Sequence, residues 1–123
     1  MDPKLSILIS ARDQIKLTKK CIECLGQTLG NTIPHEVLIV NDGSVDGTAK
    51  YLDSLSSVYR VFHSASSQGF AKNNNWLARE ARGEYLLFLN NDAFVRGDWL
   101  NPMLNVLKEK PKVGFVGNVQ KLY

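Results

Sequence analysis

The stretch that decides the fold is Glu36-Val37-Leu38-Ile39-Val40-Asn41-Asp42-Gly43-Ser44-Val45-Asp46-Gly47-Thr48. After Glu36, four apolar residues follow one another with no polar residue between them. A strand with one face in water alternates, whereas a continuous apolar run marks a strand buried on both faces, as in a parallel sheet covered by helices. Asn41 to Ser44 then has the composition of a turn. Asp46 stands where the N-cap of a following helix is expected. Strand, tight turn and helix start together make half of a βαβ unit.

The same signature repeats outward from this stretch. Leu5-Ser6-Ile7-Leu8-Ile9 is a second buried strand, and a helical pattern follows it with Ile15, Cys21, Ile22 and Leu25 apolar. Gly26, Gly30, Asn31 and Pro34 mark a loop. Downstream, a helix is predicted from Asp46 or Gly47 to Leu55, with Ala49, Leu52 and Leu55 on one face. Val58 to His63 reads as a third strand, and the polar loop Ser64 to Gln68 leads into a third helix. Phe70, Leu77, Ala78 and Ala81 share that helix's face, and Gly83 stops it in the position a helix C-terminus favours. Tyr85 to Leu89 is a fourth strand running into Asn90-Asn91-Asp92. A helix from Asp98 to Lys108 with Pro111 beyond it, and a fifth strand from Val113 to Val119, complete the pattern. This alternation predicts an α/β fold: a doubly wound, mostly parallel sheet with helices on both faces, ending after the fifth strand. Ligands of such sheets bind outside the carboxyl ends of the strands, near the point where strand order reverses. Ser10 to Asp13, Asn41 to Asp46, His63 to Gly69 and Asn90 to Phe94 are therefore the segments in which a site is expected.

The chain has 123 residues, 44% hydrophobic and 22% charged. That is one globular domain, long enough to bury a core, and not a disordered tail, a collagen-like repeat or a disulfide miniprotein. Fifteen Lys and Arg against twelve Asp and Glu give a net charge of +3. The basic residues are scattered, apart from Lys16, Lys19 and Lys20 and from Lys108, Lys110 and Lys112, which read as solvated helix faces. A nucleic-acid partner is not expected from so mild a charge. Met1-Asp2-Pro3-Lys4 leads directly into a strand, so no secretory leader is expected. Runs such as Tyr85 to Leu89 are too short to cross a bilayer. The expected location is the cytoplasm, with peripheral association at the inner face of the membrane compatible with it.

Asp42 closes its strand where a carboxylate can accept hydrogen bonds from a base or ribose; a simple turn explains it equally well. Asp92, at the end of the fourth strand, suits a hard divalent cation completed by phosphate oxygens. Its other reading is an Asx-type turn. Cys21 and Cys24 form a C-x-x-C within a helical pattern and without a second ligand pair, which fits two small apolar residues one turn apart. His35 and His63 stand alone and read as surface or packing residues. No G-x-G-x-x-G follows the first strand, no P-loop is present, and no G-x-S-x-G supplies a nucleophile. Dehydrogenase, P-loop nucleotidase and hydrolase readings all lose their central motif.

Taken in order, Leu5 to Ile9, EVLIVNDGSVDGT, QGFAKNNNWLAREARGEYLLFLNND and GDWLNPML resemble the family 2 glycosyltransferases of GT-A fold, from Leu5 to about Tyr123. The resemblance implies an inverting transfer of a sugar from a nucleotide-diphosphate sugar to a glycan or lipid-linked acceptor. It implies that Asp42 meets the nucleotide base and that the backbone at Ser10, Ala11 and Arg12 lies along the nucleoside. Lys72 and Asn75 are implied to face the same cleft. Asn90-Asn91-Asp92 falls on the family's Asp-x-Asp motif, with Asp92 holding Mg²⁺ or Mn²⁺. Asn90 replaces the first aspartate of that motif and can still bond a ribose hydroxyl. No catalytic base is found: Asp98 and Glu109 are the only acidic residues after Asp92, and both suit helix positions. The chain is accordingly expected to be a single nucleotide-sugar-binding domain, the amino-terminal part of a longer transferase, whose open carboxyl side invites homo-oligomerisation. A non-catalytic nucleotide-binding domain and a sugar nucleotidyltransferase are the alternatives, the latter lacking its phosphate loop at Ser10 to Asp13.

Overall fold

A computed structural model of the chain describes residues 2–30 and 33–117. Eight elements alternate along it: β1 (Leu5–Ala11), α1 (Ile15–Leu29), β2 (His35–Asp42), α2 (Thr48–Asp53), β3 (Tyr59–Ser64), α3 (Phe70–Glu80), β4 (Tyr85–Asn90) and α4 (Leu100–Glu109). The four strands form one sheet in the order β3-β2-β1-β4. Every pairing is parallel, with Ile9 opposite Ile39 and Leu89, and Ser10 opposite Asn90.

The apolar runs of β1 and β2 are buried on both faces, as their lack of alternation requires. On one face Leu5, Ile7, Ile9, Val37 and Ile39 pack against Cys21, Ile22 and Leu25 of α1, Leu52 of α2, and Leu100 and Leu104 of α4. On the other, Leu8, Leu38 and Val40 pack against Leu77 of α3. Helices thus cover both faces, three on one side and α3 on the other. Cys21 and Cys24 are free thiols within α1. Burial, then the neighbouring Cys24 and Asp92, push the Cys21 thiol up to about 12, which leaves it inert as a nucleophile.

At the amino ends of the strands a polar cluster ties α3 to the sheet. Glu36, 7% exposed, accepts the Ser6 hydroxyl at 2.7 Å, the Arg82 backbone N–H at 2.7 Å and the Arg60 guanidinium at 3.1 Å. Ser6 Oγ in turn accepts the Gly83 N–H at 2.8 Å. Gly83 was expected as a helix stop, but α3 already ends at Glu80 with Ala81 extended. What the position requires is the absence of a side chain, because a Cβ there would lie 2.7 Å from the backbone nitrogen of Ser6.

Three expectations need correction. The fifth strand is not formed in its described part: residues 113–117 carry no strand pairing, and residues 118–119 lie outside the described residues. Gly114 and Gly117 weaken that run as a strand, and Phe115 is exposed. The sheet face of α3 is Asn73, Asn74 and Leu77 rather than one containing Phe70, which is 58% exposed. Apolar pattern alone missed two buried asparagines. Helix α2 is also only six residues long. On β4, Leu86 and Phe88 remain exposed because α3 lies over β1 and β2 instead.

Candidate functional site

The carboxyl ends of β1, β2 and β4 lie at one rim of the sheet, and strand order reverses between β1 and β4. The Ser10–Asn90 pairing brings Ser10, Ala11 and Arg12 beside Asn90, Asn91 and Asp92. Ala11 is wholly buried in the core, so Ser10 and Arg12 carry what this segment offers a ligand, and Arg12 and Asp92 are exposed. The 90–92 turn is pinned to α1. Cys21 Sγ donates to the Asn90 carbonyl at 3.6 Å, and Asn91 Nδ2 donates to Thr18 Oγ1 at 3.1 Å.

The loops after β1 and β2 are fastened to each other. Asp13 Oδ1 accepts the N–H groups of Val45 at 2.7 Å and Asp46 at 3.3 Å, and the Asp13 N–H donates to Ser44 Oγ at 2.8 Å. In return, Asp46 Oδ2 accepts the Ile15 N–H at 3.2 Å, at the start of α1. Its Oδ1 accepts the Thr48 N–H at 2.9 Å from one residue ahead of the N-cap, which is Gly47 rather than the expected Asp46. One aspartate therefore serves the first turns of two helices, whose dipoles favour a negative charge there. Asp13 and Gln14 take positive φ angles of 51° and 55° to make this crossing. Sequence spacing had picked out Asp46 as a cap but gave no sign that Asp13 would reach across.

Asp42, 4% exposed, turns toward the loop before α3. Its carboxylate accepts the Gln68 N–H at 2.6 Å, the Ser67 hydroxyl at 2.8 Å and the Gly69 N–H at 3.3 Å. Gly43 allows this approach: its φ is 70°, and a Cβ there would sit 2.9 Å from the backbone of Ser66 and Ser67. Asn41, on the opposite face, accepts the Ser44 N–H through Oδ1, so its amide nitrogen faces His63 Nδ1 at 3.1 Å. His63 must then donate from Nε2 to Asp53 at 2.7 Å. That is an anchoring role, as a lone histidine suggested.

Burial pushes the Asp42 carboxyl up, but the Gln68 N–H, the Asn73 side chain and the Ser67 hydroxyl outweigh it and hold it below its ordinary value of 3.8. Glu36 behaves alike. Burial raises it, yet the Arg82 N–H, the Ser6 hydroxyl and Arg60 bring it below its ordinary 4.5. The unfolded chain therefore binds more protons than the folded one as acid is added. The stability these two groups contribute is complete above about pH 5 and is lost as pH falls through their folded values. Urea unfolding from pH 7 to pH 3 should show a plateau and then a fall, and the fall should shrink in Glu36→Gln.

Asn73 and Asn74 were not expected at the site. Asn73 Nδ2 donates to Ser10 Oγ at 3.1 Å, linking α3 to β1, while Asn73 Oδ1 and Asn74 Nδ2 are buried without a partner. Their signal in the sequence was a run of three asparagines just after the 63–69 loop. Lys72 and Asn75 line a cleft between α3 and the end of β3 whose lining includes none of residues 10–12 or 90–92. Asp98 accepts the Asn101 N–H at the start of α4, and Glu109 sits in the last turn of that helix, as expected of helix-end acids.

Among the described residues, no three His, Cys, Asp or Glu side chains cluster to cage a metal. No helix there is long and apolar enough to cross a membrane. Asp92 with its asparagine neighbours is an oxygen donor set of the kind hard cations take when phosphates supply the other ligands. The residues present fit such a shared ion.

A family model described as Glycosyl transferase family 2 matches residues 6–122. The chain is similar to glycosyltransferase GlyG of Streptococcus pneumoniae, at 26% identity over 122 residues, 96% of this chain and 40% of that protein. It resembles the structure of S. aureus TarS 1–349 in complex with UDP-GlcNAc, with TM-score 0.77, 20% identity, and coverage of 95% of this chain and 37% of that one. It also resembles mannosyltransferase PcManGT from Pyrobaculum calidifontis in complex with GDP-Man and Mn²⁺, with TM-score 0.67, 18% identity, and coverage of 80% and 30%. Across four curated relatives the chain spans 13%, 30%, 47% and 40% of their length. The parallel α/β sheet with its reversal at β1 and β4 is GT-A-like. With nearly its whole length matched by the family model, the chain belongs to glycosyltransferase family 2.

Proposed function

We propose that this domain binds a nucleoside-diphosphate sugar across the carboxyl ends of β1, β2 and β4. In this reading it supplies the donor and metal site of an inverting glycosyltransferase that acts on a glycan or lipid-linked saccharide. The observation that carries the reading is the meeting of Ser10 to Arg12 with Asn90 to Asp92 at the strand reversal, on loops already locked to α1 and α2. A rim fixed before the ligand arrives loses little freedom on binding. The complexes of structural relatives with UDP-GlcNAc and with GDP-Man and Mn²⁺ support the same ligand class.

In this reading the backbone at Ser10 and Arg12, on either side of the buried Ala11, lies along the nucleoside. Asp42 sets the floor for the base by holding residues 67–69, and Asn90 and Asn91 border the ribose. Asp92 holds the divalent cation. Such an ion acts as a Lewis acid for the departing diphosphate. Binding and orientation of the donor are what this chain's own residues contribute. Asp98, just ahead of α4, and Glu109, in its last turn, serve as helix-end acids rather than as the base that deprotonates the acceptor.

Calorimetric titration with UDP, GDP and dTDP, each with and without Mn²⁺, tests the proposal. One nucleotide should bind in a metal-dependent way, and Asp92→Ala should weaken that binding by at least about tenfold, as expected for loss of a charged ligand. Absence of binding by all three would sink it.

A further inference from the structure

The cleft between α3 and the carboxyl end of β3 has a volume of about 680 Å³. Lys72, Asn75, Trp76 and Arg79 line it at i, i+3, i+4 and i+7 of α3, the spacing that aligns side chains along one helix face. Gln68, Asn73, His63 and Ser64 add to the polar lining. Among the described residues, no ion pair uses Lys72 or Arg79. Asn73 is only 1% exposed, yet its side-chain oxygen has no hydrogen-bond partner. Trp76 is set in place by Phe62, their rings tilted with centroids 5.5 Å apart.

This is more polar equipment than holding α3 to the sheet requires, since Leu77 on the opposite stripe does that. Lys72 and Arg79 are separated by about 10 Å along the helix, with the indole between them. Two cations recognise a dianionic substituent. The indole offers a flat apolar wall with a polar edge, and the exposed carboxamides of Gln68 and Asn75 suit hydroxyls. We propose that this cleft binds a phosphorylated saccharide at a site separate from the donor site. The lining contains none of residues 10–12 or 90–92 and shares only Gln68 with the loop that Asp42 holds. Asn73 joins the two places: its amide nitrogen donates to Ser10, and its buried side-chain oxygen lies beneath the cleft without a partner.

The test follows the two tryptophan indole N–H resonances of the ¹⁵N-labelled chain during titration with glucose 1-phosphate, glucose and inorganic phosphate. Glucose 1-phosphate should move the Trp76 signal and leave Trp99, which donates to Thr28, in place. Glucose and phosphate alone should each bind at least about tenfold more weakly. Arg79→Gln should weaken glucose 1-phosphate binding by about tenfold, and Asn75→Asp, which puts an anion in the cleft, should abolish it. Arg79→Gln should leave the UDP titration unchanged, and Asp92→Ala should leave the glucose 1-phosphate titration unchanged. An unmoved Trp76 signal, equal binding of inorganic phosphate, no effect of Arg79→Gln, or loss in Asp92→Ala would each overturn the proposal. Failure of the donor-site reading looks different: UDP does not bind, while the Trp76 titration is intact.

Discussion

Asp42→Asn is expected to destabilise the domain by about 3 kcal/mol and to remove nucleotide binding together with it. The carboxylate accepts three donors from Ser67, Gln68 and Gly69 and is almost wholly buried. An amide in its place turns an NH₂ group toward at least one of those donors, whichever way it is flipped. A buried donor left facing a donor costs about 1–3 kcal/mol, and the charge-assisted strength of the remaining bonds is lost as well. Because the same loop begins α3, the effect should reach Asn73 and its bond to Ser10. Urea unfolding measures the first part and calorimetry the second. An Asp42→Asn protein of wild-type stability would show that these hydrogen bonds do not hold the loop.

Gly83→Ala is the second large effect, and it is purely structural. The added methyl would lie 2.7 Å from both the backbone nitrogen and the hydroxyl of Ser6, and 2.8 Å from the carbonyl carbon of Leu5. Those atoms belong to a central strand and cannot withdraw. The crossover from α3 to β4 must move instead, breaking the Gly83–Ser6 bond and straining the Arg82–Glu36 bond. Overpacking of this kind costs about 1–3 kcal/mol, and the unpaired polar groups bring the expected loss to about 4 kcal/mol. Glu36→Gln, which keeps the shape but removes the charge and turns an NH₂ toward one set of its donors, should cost less because nothing in the strand has to move. A thermal melt comparing the two separates the steric loss from the loss of the Glu36 charge and its hydrogen bonds.

Most of the architecture was readable because a parallel sheet writes itself as unbroken apolar runs, and Leu5 to Ile9 and Val37 to Val40 are such runs. The strand-end rule then pointed to Ser10, Asn41 and Asn90 without further help. What escaped was polar and long-range. Asn73 and Asn74 are buried on a helix whose apolar stripe pointed elsewhere, and no periodicity announces a buried amide. Asp13 reaches Val45 across more than thirty residues, a contact set by tertiary approach and by backbone angles that sequence pattern does not encode. The run from Val113 reads as a strand by composition, but a strand also needs a neighbour to pair with, and composition cannot supply one.

The strand order carries a consequence for synthesis. β1 is made first and occupies an interior position in the finished sheet, between β2 and β4. Its second neighbour, Tyr85–Asn90, leaves the ribosome some eighty residues later. Until then Ile7, Leu8 and Ile9, each fully buried in the native protein, have one open backbone edge and no complete cover. Non-local parallel pairing is slow to form and leaves such edges available to other chains. The nascent domain thus has an aggregation-prone interval that closes only when β4 arrives, and its yield in a cell should depend more on chaperone supply and translation speed than its final stability would suggest.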